Sequence, residues 1–134
     1  GWRRAAEILR KWSTEKRTKW YRENKGTFRK MEGKTELENA FEIVLFRYFG
    51  LKPEEVPIVE KSDRRIMWRS FNPCEVPKVC KLHGVDTREF CKKAYEKPTQ
   101  ILFQLINPNI KFGRNYEKIR PYAEYCEEFI ELIR

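Results

Sequence analysis

From Trp2 to Lys25 the chain contains neither glycine nor proline, and this uninterrupted stretch constrains the fold more than any other. Trp2, Ala5, Ala6, Leu9, Trp12, Lys16 and Trp20 recur at a spacing near 3.6, which predicts one long helix closed by Gly26. Its apolar stripe is narrow and most of its circumference is basic. Residues 1–34 hold 12 of the 29 basic residues and only 4 of the 20 acidic ones. The other 100 residues carry 17 basic against 16 acidic groups, so the net charge of +9 belongs to the N-terminal segment. Two readings follow. The helix lies on a domain with aromatics inward and charges solvated, or it meets a polyanion. In the second reading Arg10, Lys11, Arg17 and Lys19 neutralise phosphates while Trp20 stacks on bases. The first is favoured, because no helix-turn-helix, RNP or zinc-finger pattern accompanies the charge.

A chain of 134 residues can bury roughly two-thirds of its unfolded surface, enough for one core without staples. The expected division is a basic helical extension over 1–33 and a single domain over 34–134. A hydrophobic fraction of 40% argues against disorder. No apolar run approaches the roughly 18 residues of a membrane span, and Arg3, Arg4, Glu7, Arg10 and Lys11 interrupt any secretory signal. With four cysteines, too few for a disulfide-dense scaffold, a cytoplasmic site is expected. A charged fraction of 37% with two Gln and two Met resembles thermophile usage.

Downstream, Thr35 with Glu38 has capping-box spacing and starts a helix to Phe49, with Leu37, Phe41, Val44, Leu45 and Tyr48 inward. Ile58–Lys61 and Arg65–Phe71 alternate at a period of two around Ser62, Asp63 and Arg64, a hairpin signature. A helical segment follows Cys74 and reaches Gly84, with Pro77 in its first turn. Asp86 caps the next helix, which runs toward Ile106 and is kinked or divided at Pro98. Ile110 and Phe112 make a strand, whereas Tyr122, Tyr125, Cys126, Phe129, Ile130 and Ile133 fit a helical stripe on periodicity alone. The fold class is α+β, a small antiparallel sheet packed by helices and preceded by the long basic helix.

The chemistry-bearing residues are few. Cys74, just before a helix start and between Arg69 and Lys78, has a setting that favours a thiolate and is the candidate nucleophile. His83, the single histidine, is a candidate base, although a residue before a helix-ending glycine more often caps that helix. Arg69 and Arg114, with Asn115 and Tyr116, are candidate binders of a substrate carboxylate. Cys80, Cys91 and Cys126 remain open to a metal, a disulfide or plain burial. No cofactor is expected beyond a metal held through cysteines. A small-molecule ligand is the expected partner, with nucleic acid through residues 1–34 and self-association as the others. No P-loop, G-x-G-x-x-G, H-E-x-x-H or G-x-S-x-G pattern is present.

One resemblance adds to this. A strand leading into Asn72-Pro73-Cys74, then Cys80, Gly84 and Cys91, then Asn107-Pro108, and finally Tyr125-Cys126-Glu127, resembles the L-2-amino-thiazoline-4-carboxylic acid hydrolase-like family over about residues 37–132. The resemblance implies an α+β fold in which Tyr122–Leu132 is a strand. It also implies Cys74, Cys80 and Cys91 around one pocket, and a hydrolase acting on a C–N bond of a small carboxylate.

Overall fold

The computed structural model describes residues 1–29 and 33–133; residues 30–32 of the expected 1–33 extension lie outside them. The long helix, α1, spans Trp2–Asn24. Its buried residues are Ala6, Ser13 and Arg17, while Trp12 is 57% exposed. The inward face therefore runs one row away from the expected stripe, through Ser13 and Arg17 rather than Trp12 and Lys16. Trp20 turns in to meet Phe28 and Tyr48 at ring-centroid distances of 5.7 and 5.1 Å.

α2 (Glu36–Phe41) begins at Thr35 with the expected reciprocal capping box, and wider π turns continue it over Glu42–Tyr48. Leu37, Ala40, Phe41, Val44 and Leu45 are buried along it. Gly50, at φ +68°, reverses the chain where a side chain would be strained. β1 (Ile58–Lys61) and β2 (Arg65–Ser70) form the expected hairpin. α3 (Val76–Leu82) and α4 (Thr87–Cys91) follow, the latter capped by Asp86 accepting from the Arg88 N–H. α4 passes through a π turn over Lys92–Glu96 into α5 (Lys97–Ile106). Pro98 explains that widening. Its ring excludes the carbonyl four residues back and it has no N–H to donate, so the preceding turn opens instead of breaking.

β3 (Ile110–Arg114) and β4 (Cys126–Leu132) complete an antiparallel sheet of order β1-β2-β4-β3. The helix expected from the periodicity of the tail is thus overturned. β4 sits between β2 and β3, and its backbone pairs on both sides. Pairing sets the faces: Trp68 opposes Glu128, Ser70 opposes Cys126, and Arg114 opposes Glu128. The inner face carries Ile66, Trp68, Ile110, Phe112 and Ile130, all buried against Leu37, Phe41, Val44, Leu102 and Phe103. α1 lies along α5 and the π turn before it, so the helices stack on one side of the sheet. Arg65, Arg69, Glu127 and Glu131 pair across the opposite face. The fold is α+β, and among the described residues no helix is long and apolar enough to cross a membrane.

Candidate functional site

The hydrophobic core stops short of one end of the sheet. Beyond Trp68 and Phe112 the inner face turns polar at Ser70, Arg114, Cys126 and Glu128, and a cavity of about 310 Å³ opens there. Its apolar wall is built by Val44, Leu45, Trp68, Phe103 and Phe112. α1 closes one side with Arg17, while Cys91, Tyr95 and Thr99 face it from the α4–α5 stretch. Cys74 and Arg120 stand at its rim, from loops that leave the sheet.

The charges inside it are unequal. Arg114 Nε donates to Glu128 Oε2 at 2.8 Å, and Ser70 Oγ donates to Glu128 Oε1 at 2.6 Å. Burial works against the Arg114 cation, but Glu128 beside it raises its pKa above the ordinary arginine value. Among the described residues Arg17 has no such counterpart. It is 7% exposed, and its Nε is buried without a hydrogen-bond partner. Its contacts are the faces of Tyr48 and Phe49, at 5.5 and 5.3 Å. The groups acting on its charge are the Tyr48 and Tyr95 phenols and the repelling Arg114, with no carboxylate among them. Burial accordingly pulls its pKa down. Trp68, 1% exposed on the same wall, also has an indole N–H without an acceptor. Both residues line the cavity, and both nitrogens are sealed within its wall rather than open to its interior.

The thiols gather here more closely than their sequence spacing shows. Cys74, Cys91 and Cys126 line the cavity. Cys80 is buried outside its wall, close enough to act on the charge of Cys91. Desolvation pushes the Cys91 thiol up to about 12 and raises that of Cys80. All four are free, so no pair of Cys80, Cys91 and Cys126 is bridged. Among the described residues no three His, Cys, Asp or Glu side chains gather as a metal-ligand set. Cys74 is exposed, and Arg120 Nε donates to Cys126 Sγ at 3.4 Å.

The other candidates are dispersed. His83 is exposed at the end of α3, where its N–H bonds to helical carbonyls, and it does not line the cavity. Arg69 lies on the opposite sheet face, 3.5 Å from Glu127 and stacked over Tyr125. Asn115 Nδ2 donates to the same Glu127 at 3.1 Å. The Tyr116 hydroxyl is buried outside the cavity wall and its pKa is raised by burial. Of the four carboxylate-binding candidates, only Arg114 faces the cavity. Of the five nucleic-acid candidates, Arg17 and Trp20 turn inward, Arg10 is half-buried, and Lys11 and Lys19 stay exposed. Arg17, expected at a phosphate surface, is the site residue that sequence reasoning misplaced.

No family model, curated protein or solved structure matches the chain, and the functional reading rests on this cavity.

Proposed function

We propose that the chain is a small-molecule-binding domain of hydrolase-like type whose cavity takes a carboxylate-bearing ligand. One observation carries the reading: Arg17 is buried at the cavity wall without an anion among the described residues. An unpaired buried cation is costly, and a ligand carboxylate would supply the missing charge and hydrogen bonds. The mostly apolar wall with a few polar groups is the usual make-up of a ligand site. Arg114 is already engaged by Glu128 and serves to position that carboxylate, leaving Arg17 as the anchor. Cys74, the exposed thiol at the rim, is the candidate nucleophile. His83 is exposed and does not line the cavity, so it is not taken as its base.

The test is thermal denaturation of the full chain with and without millimolar small carboxylates. A ligand at 100 times its Kd stabilises by about 2.7 kcal/mol, and the matching amide should give no shift. Arg17→Met should raise the Tm of the free chain, because it removes the unpaired cation, and should abolish the response to carboxylates. A carboxylate response that survives in Arg17→Met would refute the assignment. Cys74→Ser should keep binding and lose any turnover.

A further inference from the structure

The unequal charges and the lining say more about the ligand than that it is an acid. Three ionised groups face the cavity interior: Arg17 and Arg114 are positive and Glu128 is negative. One positive charge remains. Arg120 lies at the half-exposed rim, where its guanidinium already donates to the Asn72 carbonyl and Cys126 Sγ. Glu128, the one carboxylate that lines the cavity among the described residues, has an oxygen held by Ser70 and the other by Arg114. A ligand ammonium would therefore have to compete with Arg114 for its counter-ion. A second ligand carboxylate would lose its water to a lining that is mostly apolar, with Val44, Leu45, Phe103 and Phe112 in it. The volume of about 310 Å³ is at the small end of ligand cavities, which run from roughly 300 to 1,000 Å³. It suits one ring or a short branched chain.

We infer that the ligand is a small apolar monocarboxylic acid without an ammonium group, its carboxylate seated against the Arg17 guanidinium. This rests on the carboxylate reading above and narrows it. The acid balances the surplus charge and lays its hydrocarbon against the aromatic wall. An α-amino acid with the same side chain brings a cation of its own and leaves the surplus in place.

Isothermal titration of the full chain with four probes tests this: 3-phenylpropanoate, its amide, phenylalanine and succinate. The acid should bind at least tenfold more tightly than each of the other three. Arg17→Met should weaken the acid at least tenfold and leave the amide unchanged. Phenylalanine or succinate binding as tightly as the acid would overturn the monocarboxylate assignment while keeping the carboxylate reading. An amide equal to the acid, or no binding by any probe at millimolar concentration, would overturn both.

Discussion

A cysteine and an arginine show how burial rewrites residues whose types are plain in the sequence. Cys91 is held neutral because its thiol loses water, and Arg114 nearby only partly offsets that loss. A thiol titrating at about 12 is almost wholly protonated at pH 8, and the thiolate is the nucleophile. Iodoacetamide at pH 8 should therefore modify exposed Cys74 first, and Cys80 and Cys91 last, as read by mass spectrometry of digests. Cys91 modified ahead of Cys74 would mean that the wall opens to solvent. Arg17 was legible as a cation on a helix, not as a buried one. Trp12 and Lys16 lie one helical row from Ser13 and Arg17, and counting apolar residues favours the tryptophan row. Packing of α1 along α5 and the turn before it makes the arginine row face inward.

Among the elements, those with local signals were read correctly and the one fixed by long-range pairing was not. Thr35 with Glu38, the alternation of Ile66, Trp68 and Ser70, and Asp86 before α4 are each decided within a few residues. β4 is decided by its neighbours. Its inward residues include Cys126 and Glu128, whose polar identity hides the period of two, while Phe129, Ile130 and Ile133 imitate a helical stripe. Phe129 points outward, with the Arg65 guanidinium 4.4 Å from its ring centre, and its ring covers the backbone of β3. A Cβ built on Gly113 would lie 2.4 Å from Phe129 Cζ. Gly113→Ala should cost about 1–3 kcal/mol in urea denaturation through overpacking, and Phe129→Leu should recover part of it. A neutral Gly113→Ala would show that the ring does not rest on β3.

At the scale of the whole molecule, the basic helix and the sheet share one interior. α1 lies along α5, Trp20 and Tyr21 pack against the main core, and Arg17 closes the cavity. A protease site introduced between residues 29 and 33 should, after cutting, leave α1 bound and the chain unfolding in one transition. That outcome is read by circular dichroism at helical and aromatic wavelengths together. An earlier, separate loss of helix would mean that residues 1–29 are an appendage. The open sheet face contributes little to this unity, since half-exposed ion pairs such as Arg65–Glu131 are each worth about 0–1 kcal/mol.

The central claim is that the Arg17 guanidinium holds a ligand carboxylate, and side-chain 15N–1H NMR reads that group directly. The Arg17 Nε–H resonance, assigned by its disappearance in Arg17→Met, should move downfield on addition of 3-phenylpropanoate and stay still with the amide. Binding of the acid with that resonance unmoved would place the anion elsewhere and contradict the claim.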